Sequence, residues 1–430
     1  MARDRGGRKK SGRGTRGKGA HDVRKPRKAW YRSAVVWIMI VLCLAVLGAG
    51  GVGVYKLAGR PAGGSEEAVT QTAATTTSQP PMTETERIVS SMTVEQKIGQ
   101  MMMVGFEGTE PDANITAMIQ ERGIGGVIIF GRNIDTSEQV TQMNSTLQQL
   151  AFDSGHPAGL LIAVDQEGGK TRRFDDIGPY YSEPMIGEMP EEAAEQTARL
   201  QASSAARDLK RIGINTNLAP VLDVSGGWGT IMDVRSYGSD TDMVTRLGAE
   251  AVKGYVGATT ICAPKHFPGL GSAEGDPEEE AARLDLSRED IVNYELPPFA
   301  AAIEAGAPMI MVTHMAVPAL DPTEAPATLS GPIMKELLRV QMGFTGVVIT
   351  DDMEMGAITQ SLSVSEASVQ AVAAGADIIM VAHTLEAQQA VHDALVAALE
   401  SGQLDAEAID ESVVRILEMK KKHRIVKPSA

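Results

Sequence analysis

The sequence predicts an α/β protein whose main domain is a (β/α)8 barrel of the TIM type. Eight short apolar segments recur between residues 100 and 383, each followed by a stretch with helical periodicity. Continuous rather than alternating hydrophobicity is typical of strands covered on both faces. Eight such units in roughly 340 residues favour a barrel over a doubly wound open sheet. No glycine-rich phosphate-binding loop follows the first strand to support that alternative.

The predicted strands end in polar residues. In order, the segments are QMMMVGF, GGVIIFG, GLLIAVD, NTNLAPVLD, TICAPKHF, PMIMVTH, GVVITDD and DIIMVAH. The polar residues at their C-terminal ends are Asp165, Asp223, Lys265 with His266, His314, Asp351 with Asp352, and His383. In a barrel these ends share one rim, where such folds build their active sites. A single strand-end Asp or His is often structural, but this many on one rim favour a functional site.

The chain before the barrel divides into three segments. Residues 1–33 carry 13 Lys and Arg against Asp4 and Asp22, and predict a basic cytoplasmic tail. Residues 34–55 belong to an uncharged run that is long enough to cross a bilayer as one helix, which favours a transmembrane anchor over a cleaved signal peptide. Residues 56–86 are rich in Ser, Thr, Pro and Gly and predict a disordered linker. The positive-inside rule then puts the barrel, residues 87–426, outside the cell, so we expect a single-pass cell-membrane protein.

The charge of the chain argues against nucleic acid as a partner. The net charge is -15, and beyond residue 33 the acids exceed the bases by 26. Phosphate backbones need a basic face instead. The cysteines are Cys43, in the predicted span, and Cys262, in a predicted strand, so no structural disulfide is expected. The rim lacks a His/Cys cluster with ligand spacing, so we expect no metal and no cofactor.

Four motifs at the strand ends carry residue types that suit sugar chemistry. AVDQEGGKTRRF supplies Asp165 and Arg173. A carboxylate accepts hydrogen bonds from neighbouring hydroxyls, and a guanidinium holds oxygens in a fork. MDVRSYGSD supplies Arg235. KHFPG places Lys265 and His266 together at the end of an apolar strand, where burying them without hydrogen-bond or charge partners would be energetically costly. VVITDDMEMG ends a strand with two carboxylates, one of which can project into the barrel mouth as a nucleophile while the other caps a helix.

Five motifs, AVDQEGG, APVLDV, RSYGSD, KHFPG and TDDMEMG, resemble in order and position those of glycoside hydrolase family 3. They are most similar to the single-barrel β-N-acetylglucosaminidases that trim peptidoglycan fragments. The chain has no room for the second sandwich domain that the β-glucosidase branch tends to carry. The resemblance implies that Asp351 is the nucleophile, which forms a covalent glycosyl-enzyme with net retention. It further implies that the terminal sugar is held by Asp165, Arg173, Arg235, Lys265 and His266.

One part of the family pattern is missing. After KHFPG that branch normally continues to Asp-Ser-His, whose histidine is the acid/base, but Asp276, Pro277 and Glu278 occupy these positions here. The usual HGD is also replaced by LGS at residues 270–272. One interpretation makes Glu278, or Asp276 or Glu274, the acid/base, since a neighbouring carboxylate and partial burial raise the pKa of a carboxyl group. In another the protein binds sugar but hydrolyses it poorly, and in a third the loop is a solvated acidic lid.

The sequence therefore predicts a retaining exo-glycosidase that removes non-reducing terminal β-linked N-acetylglucosamine from peptidoglycan fragments. The expected partners are a small carbohydrate, an N-acetylglucosamine-containing muropeptide, and the membrane around the N-terminal helix. Two alternatives stay open: a catalytically weak wall-sugar-binding protein, and a β-glucosidase or xylosidase of the same family. Because a carboxylate donor repels phosphate, we expect transfer of the sugar to water rather than to phosphate.

Overall fold

The computed structural model describes residues 81–226 and 231–426. In this part of the chain eight strands form one parallel sheet. They are β1 Met102–Val104, β2 Gly126–Ile129, β3 Leu161–Val164, β4 Thr216–Asn217, β5 Ile261–Cys262, β6 Met309–Val312, β7 Val347–Asp352 and β8 Ile378–Val381. Each predicted strand segment contains one of them. Most lie in buried apolar runs, whereas β4 is formed by the buried polar residues Thr216 and Asn217.

The sheet closes into the predicted barrel. β8 pairs with β1, so that Met102 lies beside Ile379. Between β5 and β6 the ladder continues through the residues after β5: the amide of Met311 donates to Pro264 O at 3.0 Å, and the amide of Phe267 donates to Met311 O at 2.9 Å. Strand order around the barrel thus follows chain order, and the C-terminal ends of all eight strands meet at one rim.

Helices alternate with the strands. Most of their buried apolar residues join the strands in one large core, and a second, smaller cluster includes Ile186, Ala198 and Val244. They are α1 Glu84–Ser91, α2 Val94–Gln100, α3 Ala113–Gln120, α4 Ser137–Asp153, α5 Glu183–Gly187, α6 Glu191–Arg211, α7 Thr241–Gly257, α8 Arg288–Asp290, α9 Pro297–Glu304, α10 Gly356–Thr359, α11 Val364–Ala374, α12 Leu385–Glu400 and α13 Ala406–Lys422. Single-turn or π-helical segments lie at Gly131–Asn133, Ile231–Val234, Ile291–Glu295, Ala327–Leu329 and Pro332–Gln341. A two-residue parallel ribbon joins Ala282–Arg283 to Met315–Ala316.

The first described helix begins inside the segment predicted as linker. Thr83 starts α1 with a reciprocal cap: the amide of Glu86 donates to Thr83 Oγ1 at 3.2 Å, and the amide of Thr83 donates to the Glu86 carboxylate at 2.6 Å. These bonds satisfy amides that the helix leaves unpaired, so a Thr-rich composition here starts a helix.

The predicted membrane localisation needs correction. The tail (residues 1–33), the anchor (residues 34–55) and the linker up to residue 80 lie outside the described residues. Within residues 81–226 and 231–426, none of the helices has the length and apolarity to span a membrane. The prediction of a single-pass cell-membrane protein is therefore wrong on this finding. An uncharged run meets the length requirement for a span, but it does not establish that a spanning helix forms.

Candidate active site

The C-terminal rim of the barrel encloses a cavity of about 470 Å³. Small-molecule sites are usually concave pockets in which a few polar groups converge. The wall includes seven of the nine site residues predicted from the sequence: Asp165, Arg173, Arg235, Lys265, His266, Glu278 and Asp351. The other two, Asp276 and Glu274, do not line the cavity.

Lys265 lies at the centre of a buried charge cluster. Its ammonium group is 2.7 Å from Asp165 Oδ1 and 2.7 Å from Glu167 Oε1. Burial alone would lower the pKa of Lys265, but the charges of Asp165 and Glu167 outweigh it and raise that pKa. Lys265 is therefore a fixed cation, which holds two carboxylates just beyond the C-terminal end of β3.

Glu167 joins this cluster to Arg235, and no role was predicted for it from the sequence. Arg235 binds it through two bonds, Nε to Oε2 at 3.0 Å and Nη2 to Oε1 at 2.7 Å. Burial would raise the pKa of Glu167, yet Lys265 and Arg235 together lower it to about 2. The AVDQEGG motif contains Glu167 two residues after Asp165, and this spacing was the only sequence signal for it.

His266 is oriented by Asp223, a rim residue predicted from the end of the fourth strand segment. The imidazole Nδ1 lies 2.7 Å from Asp223 Oδ2. The other carboxylate oxygen of Asp223 accepts bonds from the amides of His266, at 3.2 Å, and Leu270, at 2.7 Å. With Nδ1 engaged, Nε2 is the nitrogen on the cavity side, 3.4 Å from Arg235 Nη2.

The glycines of AVDQEGGKTRRF turn the chain back so that Arg173 reaches Asp165. Gly168 and Gly169 have φ angles of 103° and 59°, which favour glycine. A Cβ on Gly169 would lie 2.7 Å from Ser182 Cβ, so the turn also has no space for a side chain. Beyond the turn, Arg173 Nη2 lies 3.6 Å from Asp165 Oδ2.

The two carboxylates at the end of β7 have different surroundings. Asp352 Oδ1 accepts from the amides of Ala382, at 3.1 Å, and Glu354, at 3.2 Å, while its Oδ2 lies 3.1 Å from His383 Nε2. Asp351 is half-buried and accepts a bond from the amide of Asp352 at 3.0 Å. Asp352 is thus tied to the rim, whereas Asp351 is the less restrained carboxylate facing the cavity.

His314 and His383, both predicted at the rim, lie in different places. His314 is buried and does not line the cavity: Nε2 is 2.9 Å from Asp352 O, and Nδ1 is 2.7 Å from Thr328 Oγ1. Burial lowers the pKa of His314, so this ring is a neutral support for the end of β7. His383 lines the cavity, and its hydrogen bond with Asp352 raises its pKa.

The acidic loop after KHFPG brings Glu278 to the cavity wall. The amide of Gly356, at the start of α10, donates to Glu278 O at 3.0 Å, which anchors the loop beside the end of β7. Asp276 Oδ1 accepts from the amide of Glu278 at 3.0 Å, so Asp276 shapes the turn. Loss of hydration raises the pKa of Glu278, Asp276 raises it further, and Asp351 also contributes.

Within residues 81–226 and 231–426, no three or more His, Cys, Asp or Glu side chains are grouped as a metal site would require. The charges of the cavity are instead compensated by ion pairs between side chains, as around Lys265.

Comparison with known proteins identifies the family. The model of the glycosyl hydrolase family 3 N terminal domain matches residues 93–419. Beta-hexosaminidase A of Pseudoalteromonas piscicida is 31% identical over 367 residues, covering 77% of this chain and 61% of the relative. The chain thus spans less than two thirds of that protein. A secreted glycosyl hydrolase of Arthroderma benhamiae, named as uncharacterized, is 33% identical over 74% of this chain and 90% of its own length.

Solved structures agree with these matches. A glycoside hydrolase family 3 β-N-acetylglucosaminidase from Paenibacillus sp. superposes with a TM-score of 0.75 at 39% identity, over 79% of this chain and 64% of its own. The β-N-acetylhexosaminidase of Beutenbergia cavernae has a TM-score of 0.71 at 28% identity, over 77% of this chain and 99% of its own. The family resemblance predicted from five short motifs is confirmed: the chain belongs to glycosyl hydrolase family 3.

Proposed function

We propose that the protein is a retaining β-N-acetylhexosaminidase that releases non-reducing terminal N-acetylglucosamine. One observation carries the proposal: the less restrained carboxylate of Asp351 and the carboxyl of Glu278, whose pKa is raised, line the same cavity as a cluster of paired charges. The relatives named above as β-hexosaminidases have the activity that this arrangement suits.

The charge cluster binds the terminal sugar. Asp165 keeps acceptor capacity beyond its bonds to Lys265 and Arg173, so it can accept from two neighbouring hydroxyls. His266 and Arg235 offer further polar contacts from the same wall. Because the ion pairs hold these groups in place before substrate arrives, binding costs little reorganisation.

The reaction takes two displacements. First, Asp351 attacks the anomeric carbon while protonated Glu278 gives its proton to the glycosidic oxygen, and the aglycone leaves. Then the Glu278 carboxylate takes a proton from water, the resulting hydroxide attacks the anomeric carbon, and the bond to Asp351 breaks. A raised pKa favours the protonated form of Glu278, which its first task requires.

The substrate class that we propose is a peptidoglycan fragment with a terminal β-linked N-acetylglucosamine. This follows from the peptidoglycan-trimming branch that the five sequence motifs resemble. The absent loop histidine separates this chain from that branch, and Glu278 takes the histidine's place in the proposed mechanism.

Initial rates on two substrates test the proposal. One is a nitrophenyl β-N-acetylglucosaminide, whose leaving group needs no proton, and the other is a natural disaccharide. We expect Asp351→Asn to lose both activities. Glu278→Ala should lose the natural activity by about 100-fold or more and keep much of the activated one. Glu280→Ala is the matched control, because Glu280 is exposed on the same loop outside the cavity wall.

Three results would contradict parts of the proposal. Retained activity in Asp351→Asn would exclude that residue as nucleophile. A wild-type chain that cleaves only the activated substrate would favour a weakly catalytic sugar-binding protein, since the proton donor would then be missing. Equal cleavage of glycosides without the 2-acetamido group would favour the β-glucosidase or xylosidase alternative.

A further inference from the structure

The acidic loop that carries Glu278 is closed at its base. We call residues 274–283 the acid loop. Its ends are joined by two backbone hydrogen bonds: the amide of Glu274 donates to Arg283 O at 2.8 Å, and the amide of Arg283 donates to Glu274 O at 2.9 Å. Because the ends are joined, the position of Glu278 depends on what the tip of the loop contacts.

The tip of the acid loop contacts α10. Three consecutive carbonyl groups accept hydrogen bonds there: Pro277 O from the amide of Ala357 at 3.1 Å, Glu278 O from the amide of Gly356 at 3.0 Å, and Glu279 O from Gln360 Nε2 at 2.7 Å. The two amides belong to the first turn of α10, where a helix has no carbonyl of its own to accept from them. The side chain of Gln360, directly after α10, adds the third bond. The acid loop is therefore held along one side by this helix.

Gly356 provides the space for this contact. Its φ lies outside the left-handed region, so other residues can adopt the same backbone conformation. A Cβ added there, however, would overlap Glu279 O and lie 3.1 Å from Glu278 O. Both oxygens belong to the backbone of the acid loop, which cannot rotate away as a side chain would. A methyl group at this position would therefore push the loop off the helix.

α10 is also fixed to the strand that carries Asp351. The amide of Met355 donates to Asp352 O at 3.0 Å, and the amide of Met353 donates to Met380 O on β8 at 2.9 Å. The chain between Asp351 and the helix is thus tied to the rim at two points. A retaining glycosidase needs its two carboxyl groups about 5–5.5 Å apart. Because α10 follows one of these groups in the chain and binds the loop that carries the other, it connects the two.

We propose that Gly356 and Gln360 are positioning residues, which hold the acid loop on α10 and thereby place Glu278 where it can protonate the leaving group while Asp351 attacks. This inference rests on the proposed function, because it assigns a support to the acid named there. Neither positioning residue lines the cavity, so both act through Glu278. The cleavage of glycosides whose leaving group needs a proton therefore depends on α10, whereas that of activated glycosides does not.

The nitrophenyl β-N-acetylglucosaminide and the natural disaccharide measure this dependence in the full chain. We expect Gly356→Ala to lower the ratio of kcat/KM for the disaccharide to that for the nitrophenyl substrate by about ten- to 100-fold, the cost of misplacing a catalytic group by about 1 Å. Gln360→Ala removes one hydrogen bond and should lower the ratio by about two- to tenfold. Gln360→Glu should lower it as much, because a carboxylate has no proton to donate to Glu279 O. Gly331→Ala is the matched control, because Gly331 has helical dihedral angles and a Cβ there has no atom within 4 Å.

The pH–rate profile separates this role from a general loss of stability. Loss of hydration is the largest cause of the raised pKa of Glu278. The charged groups that face it are Asp276, Asp351, Arg235 and His266. A loop pushed off α10 is more hydrated, so the pKa of Glu278 should fall toward its ordinary value. In Gly356→Ala the disaccharide activity should therefore decline at a lower pH than in wild type, whereas Gly331→Ala should keep the wild-type profile.

Two results distinguish failure of the inference from failure of the proposed function. A ratio that falls in Glu278→Ala but not in Gly356→Ala would overturn the inference. A ratio that falls in neither would contradict the proposed acid, and hydrogen exchange at the amide of Ala357 then decides whether α10 holds the loop. Exchange that is faster by about tenfold or more in both Gly356→Ala and Gln360→Ala would support this contact. Exchange at the wild-type rate in both variants would refute it.

Discussion

Replacing Glu167 with glutamine should destabilise the protein as well as disturb its sugar site. Glu167 is buried between Lys265 and Arg235, and glutamine preserves its shape while removing its charge. Glutamine keeps one acceptor oxygen but replaces the other with an NH2 group, which cannot accept from Arg235 or Lys265. Removing one partner of a buried ion pair typically costs about 3–5 kcal/mol, because the other charge stays buried without compensation.

The pKa of Glu167 gives a second route to the same magnitude. A fall from the ordinary 4.5 to about 2 corresponds to about 3 kcal/mol of folding free energy. Because the pKa is lower in the folded state, this stabilisation is present above about pH 4.5 and is lost as the pH falls toward 2. Glu167→Gln should therefore lower the free energy of unfolding by about 3 kcal/mol at pH 7 and by less at pH 3.

Urea unfolding followed by circular dichroism at pH 7 and pH 3 measures both effects. Glu304→Gln, at the exposed end of α9, is the matched control and should change the free energy of unfolding by less than about 0.5 kcal/mol. If Glu167→Gln unfolds like this control at pH 7, the buried cluster does not stabilise the fold as argued. A difference from wild type that is equally large at both pH values would refute the pKa argument alone.

Three further predictions follow from buried or displaced charges. The activity on natural disaccharides should fall as the pH rises through the raised pKa of Glu278, because the first step needs the proton of Glu278. In Glu278→Ala this fall in the pH–rate profile should be absent. Lys420 is buried against Gln100 and Gly125, and burial lowers its pKa to about 7. Between about pH 7 and 10.5 only the unfolded chain then holds the proton on Lys420. The free energy of unfolding should therefore rise with pH in this range, by at most about 5 kcal/mol. Urea titrations of Lys420→Met should show no such rise. In phosphate buffer the product should be free sugar, because the Glu278 carboxylate repels phosphate after the first step; chromatography that finds mainly sugar 1-phosphate would contradict this.

The barrel was predictable because its signal is local. A strand covered on both faces is usually an apolar run, and each predicted segment contains one strand of the sheet, although β4 is the polar pair Thr216–Asn217. Once a closed parallel barrel is assumed, strand ends from distant parts of the chain must meet at one rim. This is why Asp165, Lys265 and Asp351 could be assigned to one site before any distance between them was known.

Other features of the site depend on contacts that no local pattern contains. The role of Glu167 depends on its hydrogen-bonded ion pair with Arg235, which lies 68 residues later in the chain. His314 ends a strand like the true cavity residues, yet its ring points to Thr328 and the backbone of β7. By sequence Glu278 held the position of the missing histidine, with Asp276 or Glu274 as the alternative acid. Of these three residues only Glu278 lines the cavity.

Periodicity and motif order were enough for the fold class, the family and the rim, since these follow from residue type and spacing. The charge state of Glu167, the exposure of Asp351 beside the tethered Asp352, and the contact of the acid loop with α10 required the folded molecule. Electrostatic interactions depend on distance and on the loss of surrounding water. Both quantities arise only when segments far apart in the chain pack against one another.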